Sequence, residues 1–320
     1  MVEYLITGCG GFVGRHYLSF LKEKSYTGDV IGIGTTCPEK RDHEGLRFHF
    51  ERMNLLDDIH LSKILKKYKP RCCLHLASMS SVADSWKQPA QSFVNNTNIF
   101  LNLVESVRKY SRKTRVLSVG SSEQYGAKSS RNGPLIESDA LDPTSPYAVA
   151  RCAQEQLAKT YARGFGLDIV MTRSFNHIGY GQDSRFALSS FARRFGLGII
   201  NQQEEITLNV GDLQVVRDFV DVRDVVRAYD LIVREARVGS IFNICSGQGV
   251  TLVDAVDYLS NASGIRYHAQ SDQTLVRPLD KPVVVGSHNA ITAELGWRPS
   301  FTFKESVNVL LSYWVQRGSR

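Results

Sequence analysis

The chain has 320 residues, 42% of them hydrophobic and 22% charged, with nine prolines. That composition admits one large α/β unit or two small domains and excludes the disordered and fibrous classes. No segment has the length of a membrane span, and the short apolar start lacks a signal peptide's basic region, so a cytoplasmic protein is expected.

The net charge of +7 comes largely from two clusters: Lys63, Lys66, Lys67, Lys69 and Arg71, then Arg108, Lys109, Arg112, Lys113 and Arg115. Each falls late in a predicted helix or just beyond it, where cations complement the helix dipole. No aromatic-interleaved basic stripe accompanies them, so small anionic ligands rather than nucleic acid are the expected partners.

In chain order, residues 4–7, 30–33, 48–53, 72–77, 116–119 and 169–173 are near-continuously apolar, as in strands buried on both faces of a parallel sheet. Helical periods at 12–24, 59–68, 90–109 and 147–165 lie between them. The alternation predicts an α/β fold with a Rossmann-type doubly wound parallel sheet. After residue 175 the pattern loosens into a helix near 186–196, a polar stretch over 201–212, a strand and helix across 218–236 and a strand at 241–245. Two or three helices with proline-bearing turns close the chain. Six scattered cysteines form no C-x-x-C pair, which indicates reduced thiols and neither a disulfide framework nor a metal site.

Between the first strand and its helix runs Gly8-Cys9-Gly10-Gly11-Phe12-Val13-Gly14. Glycines in that place allow a tight turn, close approach of a pyrophosphate and close helix–strand packing, while the helix N-terminus offers free N–H groups. A nicotinamide dinucleotide is the expected ligand. The second strand ends at Thr35 and Thr36 without a carboxylate, and Lys40 and Arg41 follow. A 2′-phosphate suits such a tip, so NADP(H) is favoured and NAD(H) left open. The two cations fit plain loop charges as well. On this basis residues 1–175 and 217–246 are assigned to the dinucleotide-binding domain, and 176–216 and 247–320 to a smaller α/β substrate-binding lobe.

Ser145-Pro146-Tyr147 opens a helix on which Tyr147 and Arg151, four apart, share a face. A cation beside a phenol stabilises its phenolate, which makes Tyr147 a candidate proton donor or acceptor. Ser121 and Glu123 follow a strand, at the end where open α/β sheets bind ligands. Ser121 can hydrogen-bond a carbonyl or hydroxyl, and Glu123 is a candidate acid or base.

These motifs, with Thr7-Gly8-x-x-Gly11-Phe12-x-Gly14, His75-Leu76-Ala77, Ser121-Ser122-Glu123-x-Tyr125-Gly126, Asn176-His177-Ile178-Gly179, Arg217-Asp218-Phe219 and Arg277-Pro278, resemble the extended short-chain dehydrogenase/reductase family of nucleotide-sugar enzymes. Within it the likeness is greatest to GDP-4-keto-6-deoxy-D-mannose reductases, then to GDP-mannose 4,6-dehydratases. The resemblance implies that Ser121 and Tyr147 polarise and protonate a sugar C4 oxygen while hydride passes between C4 and nicotinamide. It further implies cofactor contacts from Asn54, Leu55, Leu76, Ala77, Ser78, Asn96, Phe175 and His177. Substrate contacts would come from Ser81, Ser122, Asn176, Arg217, Arg277 and Asp280, and a homodimer would pair the helices at 90–109 and 147–165. Arg217 could instead form a salt bridge within its own charged segment, and Arg277 could be a turn residue.

The chain departs from the family pattern at four places. Arg151 replaces a lysine, Asn54 an aspartate, Ile99 a small residue and Tyr180 a proline. The expected activity is an NADPH-dependent 4-keto reductase of a GDP-4-keto-6-deoxy sugar. The alternatives are a 4,6-dehydratase using Glu123 as base at C5, a C4 epimerase, or a degenerate member that binds cofactor with little turnover.

Overall fold

The computed structural model describes residues 2–126, 133–276 and 278–318. Strand β1 (Val2–Thr7) enters helix α1 (Phe12–Glu23), and β2 (Asp29–Gly34), the short α2 (Lys40–His43) and β3 (Arg47–Arg52) follow. Next come α3 (Asp58–Tyr68), β4 (Cys72–His75), α4 (Val82–Lys87), α5 (Pro89–Tyr110), β5 (Arg115–Ser121), α6 (Pro146–Phe165) and β6 (Ile169–Ser174). The rest comprises β7 (Asn176–Ile178), α7 (Ala187–Ile200), β8 (Glu205–Val210), β9 (Val216–Asp221), α8 (Val222–Glu235), β10 (Ile241–Ile244) and β11 (Gly249–Thr251), then α9 (Leu252–Ser263), β12 (Arg266–Ser271), β13 (Val283–Val284), α10 (Asn289–Leu295) and α11 (Phe303–Gly318).

Seven parallel strands form the main sheet in the order β10-β6-β5-β4-β1-β2-β3, which is the predicted doubly wound arrangement. Apolar residues fill both of its faces. Tyr17, Leu18, Val225, Tyr229 and Ile232 pack on one side, and Leu61, Leu65, Phe100, Leu103 and Ala158 on the other. Burial of such side chains contributes roughly 1.5–3 kcal/mol each, the dominant favourable term. β3 differs from expectation because it is the sheet edge, with half-exposed residues rather than a strand buried on both faces.

The second lobe has its own core, built from Leu188, Phe191, Phe195, Val256, Leu259, Val307 and Leu310. The stretch 201–212, read as polar, contains β8, which pairs in parallel with β12 and alternates exposed and buried residues. A small sheet joins β9 to β7, β11 and β13. Buried Asp218 on β9 accepts hydrogen bonds from the backbone N–H groups of Ser246, Gly247 and Gly286, fixing this sheet against the end of β10. α10 returns to the main core through Ile291, and Trp297 follows it there.

Several residues of the basic clusters are ion-paired. Arg108 and Lys109 pair with Glu105, Arg115 with Asp168 and Arg71 with Glu3. Two departures from the family pattern have local explanations. Ile99 is a buried core residue, and Tyr180 packs at a tilt against His16, whose Nε2 lies 2.9 Å from the Tyr180 carbonyl. Among the described residues no helix is long and apolar enough to cross a membrane.

Candidate active site

The glycine turn is shaped by backbone contacts that a side chain would destroy. Gly8 has a φ of 68°, and a Cβ there would lie 2.8 Å from the Ala77 Cα. A Cβ on Gly14 would lie 2.5 Å from the Gly8 carbonyl oxygen and 2.6 Å from the Cys9 Cα. One on Gly10 would strike the Thr36 carbonyl. Gly11 caps α1 without a side-chain hydrogen bond, and the first turn holds no acidic residue, so no cap side chain takes its N–H groups beside half-buried Phe12 and Val13. This cradle fits a dinucleotide pyrophosphate.

Around the tip of β2 the charges are arranged differently from the sequence reading. Arg41 pairs with Glu39 at 2.7 Å, and Arg15 is held by Glu39 and Asp42. A further cation, Arg52, lies beside the tip and its guanidinium donates to the Thr35 carbonyl at 2.7 Å. Asn54 uses its side-chain oxygen on the Leu56 N–H and is exposed, whereas Leu55 is buried.

The end of β4 is organised by Thr7, whose hydroxyl accepts from the N–H groups of Leu76 and Ala77 at 3.1 Å. Asn96 fixes the next turn, accepting from Met79 N–H at 2.8 Å and from the Ser78 hydroxyl. Ser81 serves as the N-cap of α4.

Pro146 at the start of α6 and the Ser145 cap set the first turn so that Tyr147 and Arg151 face β5. Both are buried. Arg151 Nε donates to Tyr147 Oη at 3.1 Å, one terminal nitrogen donates to the Val119 carbonyl (3.1 Å) and Gln154 Oε1 (2.6 Å), and the other to Ser78 Oγ. The guanidinium therefore joins Tyr147 to the β4 turn, two contacts a single ammonium would serve less readily. Arginine thus occupies the lysine position with its charge against the phenol.

Ser121 ends β5 and accepts from the Glu123 N–H at 3.2 Å, while Ser122 is buried beneath the turn. Gln124 closes the turn onto the Ser121 N–H at 2.8 Å and donates to Glu155. Burial pushes Glu155 up, but the hydrogen bonds and charges of Arg173 and Lys159 outweigh that and bring it down to about 2. Glu123 is held by Lys281, a residue not singled out in the sequence. Its buried ammonium lies 3.6 Å from the Glu123 carboxylate and donates to the carbonyls of Glu123 (3.1 Å) and Tyr125.

The remaining candidate residues are spread more widely. Arg217 is buried and bonded to Asp280 at 2.7 Å and to the Lys281 carbonyl at 2.8 Å, so two expected substrate contacts meet each other. Asn176 is half-buried on β7. Phe175 packs among Tyr125, Leu135, Cys245 and Val284 in a small core. His177 Nε2 lies 3.4 Å from Tyr229 Oη, and its Nδ1 is buried without a partner among the described residues. Arg277 lies outside the described residues.

Comparison with known proteins gives the family and the fold. The family model described as GDP-mannose 4,6 dehydratase matches residues 5–310. The chain is 28% identical to the GDP-6-deoxy-D-mannose reductase of Pseudomonas aeruginosa over 98% of its own length and 97% of that protein's. A solved structure of RMD from Pseudomonas aeruginosa complexed with NADPH superposes with a TM-score of 0.84 at 27% identity, covering 99% of this chain and all of that one. A UDP-glucose 4-epimerase from Thermotoga maritima with UDP-glucose gives a TM-score of 0.88 at 26% identity over the whole of both chains. The chain belongs to the GDP-mannose 4,6-dehydratase family.

Proposed function

We propose that this family member is an NADPH-dependent reductase acting on the C4 ketone of a GDP-linked 4-keto-6-deoxy sugar. The observation that carries the reading is the Arg151 guanidinium hydrogen-bonded to Tyr147 Oη at the carboxyl edge of the sheet, on a chain that spans nearly the whole of a GDP-6-deoxy-D-mannose reductase. When bound, the reduced nicotinamide supplies the hydride. Tyr147 gives its proton to the C4 oxygen, and the Arg151 charge stabilises the phenolate left behind. Ser121 donates a hydrogen bond to the same oxygen as negative charge develops there.

The pyrophosphate falls to Gly10, Gly11 and the N-terminus of α1, and the 2′-phosphate to Thr35, Thr36 and Arg52. Arg217 and Arg277 hold the nucleotide diphosphate, for which planar guanidinium donors are suited. A homodimer is supported by apolar side chains left exposed on α5 (Phe93, Val94) and α6 (Val149). A cytoplasmic setting is supported by six cysteines, none in a disulfide.

Purified protein mixed with NADPH and a GDP-4-keto-6-deoxy sugar should consume absorbance at the reduced-nicotinamide band. A second reading, 4,6-dehydration, is favoured by Glu123 beside Ser121 and by the family model itself. It would replace the first if a parent GDP-hexose yielded a 4-keto product without net cofactor consumption.

A further inference from the structure

Glu123 is the carboxylate on the turn that carries Ser121, and a carboxylate there has a specific opportunity. On a 4-keto-6-deoxy sugar the C5 proton lies alpha to the C4 ketone. A carboxylate acting as base removes it by forming its own O–H bond as the C5–H bond breaks and the electron pair moves onto the C4 oxygen as an enolate. Reprotonation from solvent then returns the ketone with a solvent-derived hydrogen at C5. A reductase gains nothing from that step, whereas a dehydratase depends on it.

The structure places a counter-group against this carboxylate. Lys281 is buried at 4% exposure and directs its ammonium to three oxygens: the Glu123 carboxylate and the main-chain carbonyls of Glu123 and Tyr125. Two ammonium protons go to the carbonyls, and the carboxylate at 3.6 Å is held as an ion pair. The backbone of Lys281 is itself held, because its N–H donates to Asp280 at 2.9 Å and its carbonyl accepts from Arg217 at 2.8 Å. Arg217 sits on β9, so Lys281 is presented on a segment braced against that strand. Taking a proton from carbon would neutralise Glu123 and forfeit the attraction of this ion pair.

We propose that Lys281 is a positioning residue that ties Glu123 to the second lobe and withholds it from base chemistry at C5, committing the site to reduction at C4. The proposal rests on the reading that a 4-keto-6-deoxy sugar occupies this site. It makes Lys281 a determinant of which reaction follows binding.

The test separates proton exchange from hydride transfer. Wild type, Lys281→Met and Lys281→Arg are incubated with GDP-4-keto-6-deoxy-D-mannose and oxidised NADP in D2O, and deuterium at C5 is followed by NMR above the enzyme-free rate. General bases contribute about 10²–10⁴-fold, so removing the Lys281 ion pair should raise Glu123-dependent exchange at least about tenfold in Lys281→Met. Lys281→Arg should stay at the wild-type rate, and adding Glu123→Gln to Lys281→Met should abolish the gain. Equal exchange in wild type and Lys281→Met, or a gain that survives Glu123→Gln, overturns the proposal. Lys281→Gln, which keeps donors for the two carbonyls without the charge, replaces the methionine variant if that one does not fold. NADPH consumption is measured in parallel: a wild type that reduces the sugar while exchanging C5 at its turnover rate refutes the tie and leaves the reductase standing. One that does not reduce, yet shows the exchange contrast between variants, refutes the reductase and leaves the tie.

Discussion

Replacing Arg151 by methionine tests the cation on which the proposed proton transfer depends. The side chain is buried and donates to Tyr147, Val119, Gln154 and Ser78, so the substitution removes four hydrogen bonds at once. The Val119 carbonyl keeps a second donor, Gln154 Nε2 at 3.1 Å, but Gln154 Oε1 loses the arginine and is left in a buried setting. The unsatisfied Gln154 acceptor costs about 1–3 kcal/mol and the lost bonds to Tyr147 and Ser78 about 1 each, which gives a destabilisation of roughly 3–5 kcal/mol. At roughly 2 °C per kcal/mol for a chain of this size, Tm should fall by about 6–10 °C. The effect on kcat is separate. Removing one preorganised donor from a developing oxyanion typically costs about 10²–10³-fold, and the Tyr147 phenolate loses the charge hydrogen-bonded to it. A lysine side chain is not equivalent in shape, but Arg151→Lys retains the charge, so kcat should stay within about tenfold of wild type with a smaller fall in Tm. The assay is NADPH consumption at saturating substrate beside a thermal melt. A folded Arg151→Met protein with wild-type kcat would refute the role of the charge. A lysine variant as impaired as the methionine variant would show that the planar fork, not the charge, is what Tyr147 needs.

Three further outcomes follow from the geometry. Gly14→Ala puts a methyl 2.5 Å from the Gly8 carbonyl and should weaken dinucleotide binding at least about tenfold, about 1.4 kcal/mol, in a fluorescence titration; unchanged affinity would remove the turn from the site. Arg52→Ala should raise the KM for NADPH about tenfold, equivalent to about 1.4 kcal/mol, with little change for NADH, and an equal rise for both would rule out a 2′-phosphate contact. Burial pushes His16 down to about 4, more than its hydrogen bond with the Tyr180 carbonyl raises it. Its folded-state value lies below the unfolded one, so its contribution is present above pH 6.5 and is lost as pH falls from there toward 4. At about 1.4 kcal/mol per pH unit, the loss reaches about 2 kcal/mol by pH 5, and His16→Gln should be correspondingly less acid-sensitive in melts between pH 7 and pH 5.

What the sequence made legible was whatever depends on neighbours in the chain. The main sheet follows from strand–helix alternation, the glycine turn from the spacing of Gly8, Gly11 and Gly14, and the Tyr147–Arg151 contact from one helical turn. The alternation Glu205-Ile206-Thr207-Leu208-Asn209-Val210 was also there to be read as a strand, but polar residues on its open face obscured it. Other features need the folded chain. Lys281 reaches Glu123 across 158 positions, and nothing in its local sequence marks it. Arg52 approaches Thr35 only because β2 and β3 are adjacent, and Arg217 finds Asp280 only because β9 and β13 pair beside the Asp280 segment. Phe175 reads as a motif residue, yet the fold gives it a place in a small apolar core.

The central claim is that hydride is delivered to sugar C4 while Tyr147 supplies the proton. The most direct measurement uses NADPH carrying deuterium at the transferred position, with product analysed by NMR and mass spectrometry in wild type and Tyr147→Phe. Wild type should give one deuterium at C4 of the product, and Tyr147→Phe no labelled product although it still binds the cofactor. Product without deuterium at C4, or label transfer undiminished in Tyr147→Phe, would contradict it.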